Sequence, residues 1–118
     1  MYTIILDTSF ILTALKFKID FFSEIDRICN FKYKISIIDK TLNELKNKKL
    51  EKLALKLIKE KSVNIINTSE RGDVDSILIS LFKKDKTIII ATQDIDLKNK
   101  LGNNRIIIIK QRKYLALI

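Results

Sequence analysis

Five short runs dense in Ile and Val recur along the chain, at Tyr2–Leu6, Lys34–Ile38, Val63–Ile66, Thr87–Ala91 and Arg105–Ile109. Each is apolar at odd and even positions alike, which predicts strands covered on both faces rather than strands with one wet side. The segments between them carry helical spacing instead: Phe10–Leu15 with Ile19–Ile28, Leu42–Leu45 with Leu50–Ile58, then Ile77–Phe82, and finally Ile95–Leu101. In the second pair, Leu50, Leu53, Ala54, Leu57 and Ile58 form an apolar stripe opposite Lys49, Lys52, Lys56 and Lys59. Strand and helix alternate throughout. The expected fold is therefore α/β, with a central parallel sheet of about five strands, right-handed crossovers and helices on both faces.

Nothing in the chain reads as a linker, because it has no Pro and only two Gly, at 72 and 102, and it shows no internal repeat. Its 118 residues are read as one domain, 1–118, long enough to bury a core without disulfides or metal staples. The absences narrow the chemistry further. There is no His, and Cys29 is the single Cys, so Ser/His/Asp and Cys/His nucleophiles and His or multi-Cys zinc sites are excluded. Carboxylates, hydroxyls, Lys and Arg remain as reacting groups. Cys29, in the spacing Ile25, Ile28, Cys29, reads as a small core residue. No apolar run approaches the ~18 residues of a membrane span, and the first apolar run is interrupted at Asp7, so a cytoplasmic protein without membrane contact is expected.

In an open parallel sheet ligands sit beyond the carboxyl ends of the strands, and the polar residues falling there are mostly acids. Asp7 follows the first strand, Asp39 the second and Asp94 the fourth, while Glu44, Asp73, Asp75 and Asp96 are expected in the first turns of the helices that follow strands. Each also fits a structural role. Asp7, Asp39, Asp73 and Asp94 suit helix N-caps, Thr41 to Glu44 suits a capping box, and Asp75 and Asp96 suit the positive end of a helix dipole. Gathered at one rim, several carboxylates would repel one another unless a hard divalent cation such as Mg²⁺ or Mn²⁺ neutralised them. Such an ion would supply hydrolytic chemistry without histidine.

The string Asp7-Thr8-Ser9-Phe10 after an apolar strand, Glu44 after the second strand, Gly72-Asp73-Val74-Asp75, and Ala91-Thr92-Gln93-Asp94-Ile95-Asp96-Leu97 together resemble the four acidic motifs of PIN-domain ribonucleases. The likeness runs over essentially the whole chain. With the ending Arg112-Lys113-Tyr114, it looks most similar to the branch that cleaves precursor ribosomal RNA in the small-subunit processome, and to its archaeal single-domain relatives. The resemblance implies a three-layer, Rossmann-like PIN domain and a Mg²⁺- or Mn²⁺-dependent endoribonuclease. Asp7, Glu44, Asp75 and Asp94 would be the metal-binding acids, with Asp96 a supporting acid. Thr8, Ser9 and Thr92 would orient the ligating groups. Ser9 stands where that branch usually has Asn. Asp73 is an additional acid, and Asp75 is favoured over it because Ser76-Ile77 follows.

The net charge of +9 favours an acidic partner, here RNA, structured or a ribosomal precursor. Nineteen Lys stand against four Arg. Those in Lys40–Lys61 suit either a phosphate-tracking stripe or a solvated face, whereas Arg105, Lys110, Arg112, Lys113 and Tyr114 combine cations with an aromatic, as contacts to the phosphates and bases of single-stranded RNA do. Tyr114, Leu115, Leu117 and Ile118 equally suit a C-terminal clasp or a homodimer interface. A VapC-like toxin with an antitoxin partner, a nuclease acting with ribosome-assembly proteins, and a non-catalytic RNA-binding PIN module are the functional alternatives. Two other folds with acidic mouths are set aside: Asn67, not Asp, follows the third strand as a phosphoreceiver would need, and Asp7-Thr8-Ser9 lacks the second Asp of a haloacid-dehalogenase-type phosphatase.

Overall fold

A computed structural model of the chain describes residues 1–69 and 72–118. Its elements are β1 (Tyr2–Leu6), α1 (Thr8–Lys16), α2 (Phe21–Ile28), β2 (Tyr33–Ile38), α3 (Asp39–Leu45), α4 (Glu51–Glu60), β3 (Asn64–Ile66), α5 (Val74–Lys84), β4 (Ile88–Ala91), α6 (Ile95–Leu101), β5 (Ile106–Lys110) and β6 (Tyr114–Leu117). They build one sheet in the order β3-β2-β1-β4-β5-β6. The first five strands of that order pair in parallel, and β6 returns antiparallel to β5.

The two-sided apolar strands divide by parity between two cores. Ile4, Leu6, Ile37, Ile89 and Ile107 belong to one core, with Phe10, Ile11 and Ala14 of α1, Ile25 of α2 and Ala54 and Ile58 of α4. Ile5, Ile38, Ile88, Ile90 and Ile106 point the other way, into the core formed with Val74, Ile77, Leu78 and Phe82 of α5 and Leu97 and Leu101 of α6. Each fully buried Ile or Leu contributes about 2 kcal/mol of apolar transfer, so a strand with three such residues in a row cannot leave either face in water. The three-layer arrangement follows from this.

The sheet has a sixth strand beyond the five expected. Its turn carries no Gly, although Gln111 and Arg112 both adopt positive φ (52° and 57°), as the mirror-image turns of hairpins demand. Outward-facing backbone groups of this edge strand are covered by α2. Glu24 accepts a hydrogen bond from the Leu115 N–H at 2.9 Å, and Arg27 donates to the Leu115 carbonyl at 3.1 Å. These side chains occupy the place where a further strand would add. Cys29 is buried, with its thiol pKa pushed up by burial.

Two local expectations fail. Asp39 is the first residue of α3 rather than its cap; it accepts from the Lys40 N–H and, at 2.7 Å, from the Thr68 hydroxyl. The box from Thr41 to Glu44 does not form either. α3 starts two residues earlier, which places Thr41 inside it with its buried hydroxyl lacking a partner among the described residues, and sends Glu44 to a residue of α1. No helix among the described residues is long and apolar enough to cross a membrane.

Candidate active site

β1 and β4 are neighbours, so their carboxyl ends lie side by side, tied by a hydrogen bond from the Asp7 N–H to the Ala91 carbonyl at 2.9 Å. Asp7 leaves β1 as the N-cap of α1, and its Oδ1 accepts from the Thr8 N–H at 2.8 Å. Its Oδ2 accepts from Ser9 at 2.9 Å and from Thr92, just beyond β4, at 2.7 Å. A carboxylate only 3% exposed is thus held by three donors from two elements. Thr92 is itself fixed, since its hydroxyl accepts from the Asp94 N–H at 3.0 Å.

The other acids arrive from different helices. Asp94 caps α6, with Oδ1 accepting from the N–H groups of Asp96 and Leu97. Glu44, near the end of α3, accepts the Thr8 hydroxyl proton at 2.6 Å. Asp73 caps α5 through the Ser76 N–H, and Asp75 lies in the first turn of the same helix. Asp7, Thr8, Ser9, Glu44, Asp73, Asp75 and Asp94 border one open cavity of about 250 Å³. Capping and cavity lining coexist at Asp94, whose cap bonds use Oδ1 alone; Oδ2 of Asp94, Oε2 of Glu44 and both oxygens of Asp75 accept no hydrogen bond from a described residue.

Among the described residues no cation pairs with an acid at this mouth, although the Asp73 carboxyl pKa is lowered by its hydrogen bonds from Ser76 and, to a lesser extent, by the charge of Lys100. The ion pairs among those residues are Arg27 with Glu24 and Lys56 with Glu60, both elsewhere. At Asp75 partial burial raises the carboxyl pKa, and the negative charges of Asp7, Asp94, Asp73 and Glu44 raise it further.

A family model described as a PIN like domain matches residues 4–114. The chain belongs to the PIN-like domain family. Ribonuclease VapC4 of Methanocaldococcus jannaschii is 34% identical to it over 97% of this chain and 95% of its own length. The solved structure of the PIN domain endonuclease Utp24 superposes with a TM-score of 0.84 at 23% identity, covering 99% of this chain and 92% of that one, which is a likeness of fold.

In this PIN-like domain the donor set at the mouth consists of hard oxygens, the kind that suits Mg²⁺ or Mn²⁺. Among the described residues no three acidic side chains close into a ready-made cage, so the residues fit an ion held by one or two carboxylates and by water, as Mg²⁺ commonly is. Asp7, Glu44, Asp73, Asp75 and Asp94 are the carboxylates that border this mouth.

Asp96 does not line the cavity. It is exposed on the first turn of α6, and its backbone N–H serves the Asp94 cap. Lys110, Arg112, Lys113 and Tyr114 are also outside the lining: they form the end of β5, the β5–β6 turn and the start of β6, and the Arg112 guanidinium sits over the Phe17 ring at 5.5 Å. Sequence reasoning missed Gln93, whose N–H donates to Ser9 at 3.3 Å while its Oε1 accepts from the Ile109 N–H at 2.7 Å. It ties the loop after β4 to both α1 and β5. Its position between Thr92 and Asp94 is the one available signal.

Proposed function

We propose that this chain is a divalent-metal-dependent endoribonuclease acting in ribosomal RNA processing. The observation that carries the reading is the convergence of Asp7, Glu44, Asp75 and Asp94 from four helices and two adjacent strand ends on one cavity, with no ion pair to a described cation. A bound divalent ion supplies charge neutralisation at the phosphoryl oxygens and a water of lowered pKa. The chain's own residues do the rest. Asp7, fixed by Ser9 and Thr92, and Glu44, fixed by Thr8, present oxygens whose positions do not have to be reorganised when the substrate arrives. Asp75, whose carboxyl pKa is raised by burial and by the neighbouring carboxylates, is a group whose ionised form a cation would favour. The expected products carry 5′-phosphate and 3′-hydroxyl ends.

Incubation of the purified protein with structured RNA and Mn²⁺ is expected to give cuts that EDTA abolishes and that Asp7→Asn and Asp75→Asn both lose. Equal cutting by those variants would sink the assignment. The VapC4 relative supports a second reading of the biological role, a toxin ribonuclease with an antitoxin partner. Growth arrest on expression, relieved by the product of a small adjacent gene, favours the toxin; accumulation of unprocessed ribosomal RNA on depletion favours processing. Salt-sensitive RNA binding without any metal-dependent cleavage would instead identify a non-catalytic module.

A further inference from the structure

Three cavities follow one another along a single face of α1. Thr8, Ser9 and Glu44 border the acidic mouth and also a second cavity of about 290 Å³, which Leu12 and Lys48 complete. Leu12 and Lys48 in turn border a third, of about 690 Å³, with Leu15, Leu50 and Leu53 on its walls. Lys16, Lys18 and Lys49 border it as well. On α1 the residues used are 8, 9, 12, 15 and 16, the steps of one helical face. The track therefore runs between α1 and the turn that joins α3 to α4.

Among the described residues, Lys48 is the only cationic one bordering either of the two cavities that contain the acids. Its backbone is fixed in that turn: the Lys48 N–H donates to the Leu45 carbonyl at 3.2 Å, and its carbonyl accepts from the Glu51 N–H at 3.1 Å. Asn47 before it takes a positive φ of 65°, a conformation Asn tolerates, and its N–H donates to the Glu51 carboxylate. The Lys48 ammonium makes no ion pair or hydrogen bond with a described residue. A polyanion approaching a mouth lined by five carboxylates is repelled unless cations meet it next to the cleavage point.

We propose that Lys48 is a positioning residue for the RNA backbone, and that on one side of the cleaved bond a single strand leaves the acidic mouth along α1, past Thr8 and Leu12, to Lys48 and the lysine-bordered groove beyond. This rests on the nuclease reading, but its test does not require cleavage. Binding of a fluorescent single-stranded RNA is measured in EDTA as a function of salt, and steady-state cleavage is measured separately with Mn²⁺. Losing one phosphate contact to a single strand lowers the salt slope of log K by about 0.7 and, near physiological salt, raises Kd by roughly fourfold. Lys48→Ala is expected to show that change, Lys48→Glu a larger one and Lys48→Arg none, with KM for RNA rising in the first two while kcat is retained. Lys32→Glu, at the opposite end of the sheet just before β2, makes the same change in net charge and is expected to leave Kd within about twofold. Equal behaviour of Lys48→Glu and Lys32→Glu in EDTA overturns the proposal, and that is the result expected if an acidic peptide or a second copy of this chain occupies the groove. Absence of cleavage by the unmodified protein would count against the nuclease reading alone, because the EDTA measurement still decides the role of Lys48.

Discussion

At the acidic mouth, Asp7, Glu44, Asp75 and Asp94 are brought together without an ion pair to a described cation, whereas around the β5–β6 hairpin the arginines are each engaged by a local partner. Arg27 pairs with Glu24 at 2.8 Å and reaches the Leu115 carbonyl. Arg105 donates to the carbonyls of Asp85 and Ile88 at 3.0 Å each and of Phe82 at 3.4 Å, with its guanidinium 3.9 Å from the Phe82 ring centre. Arg112 lies over Phe17. The difference separates two uses of charge. Groups satisfied by nearby backbone and rings stabilise the fold, while like charges held together against their repulsion lower stability and are kept where something else must bind.

The largest expected effect breaks the mouth. Asp7→Asn removes one charge and one acceptor from the Thr8, Ser9 and Thr92 donors, and cleavage of RNA is expected to fall at least about a hundredfold, measured as kcat/KM on a defined oligonucleotide. Thr92→Val keeps the shape but deletes the hydroxyl that bridges Asp7 and the Asp94 N–H, and a loss of roughly tenfold to a hundredfold is expected. The converse variant is Arg105→Ala. It removes the guanidinium donor from three carbonyls, of which that of Asp85 keeps the Ile88 N–H, and uncovers Phe82, so unfolding in urea is expected to show a loss of about 2 kcal/mol, while the folded protein cleaves as before.

How far these two regions were legible from sequence follows the range of the interactions in each. The parity pattern in Tyr2–Leu6 and Thr87–Ala91 is local, and it carries the two-faced sheet and the placement of Asp7 and Asp94 just after strands. What joins them is not local. The bond from Thr92 to Asp7 spans 85 positions and that from Thr8 to Glu44 spans 36, and both depend on β1 lying between β2 and β4. The same limit explains Glu44, whose spacing from Thr41 suggests a box within α3 although a hydroxyl on α1 offers the shorter bond. β6 was illegible for another reason: its turn reaches positive φ with Gln111 and Arg112, residues that carry no turn signal. Arg105, read with the basic residues around it as a phosphate contact, is engaged by carbonyls near the end of α5 and start of β4 that no spacing rule points to.

A smaller effect, opposite in sign to that of Arg105→Ala, is expected at Asp75. Because its folded-state pKa is raised, the stability associated with its neutral form is complete below the unfolded value and is lost as pH rises through the folded one. At neutral pH in EDTA, Asp75→Asn is therefore expected to be more stable than the unmodified protein, by about 1 kcal/mol or roughly 4 °C in melting temperature. Mn²⁺ should reverse the order by stabilising only the protein that retains the carboxylate. A variant that is destabilised in EDTA would mean that Asp75 holds the fold together and that the mouth is not a cluster of mutually repelling charges.

The smallest effect lies at Glu24, where the sign of the pH dependence is reversed. The hydrogen bond from Arg27, followed by that from the Leu115 N–H, holds its carboxyl below the usual glutamate range. A lowered folded-state pKa contributes stability that is present above the unfolded value and disappears as pH falls through the folded one. Glu24→Gln keeps an acceptor for Leu115 but removes the charge, and since its partner Arg27 is exposed to solvent the loss at neutral pH is expected to be under about 1 kcal/mol. Below the folded pKa the two proteins should converge in stability, whereas Asp75→Asn and the unmodified protein converge only under acid from the opposite direction. Melting curves between neutral and acidic pH for the two variants therefore give slopes of opposite sign relative to the unmodified chain, and equal slopes would remove the distinction between a charge engaged by the fold and one held in reserve at the mouth.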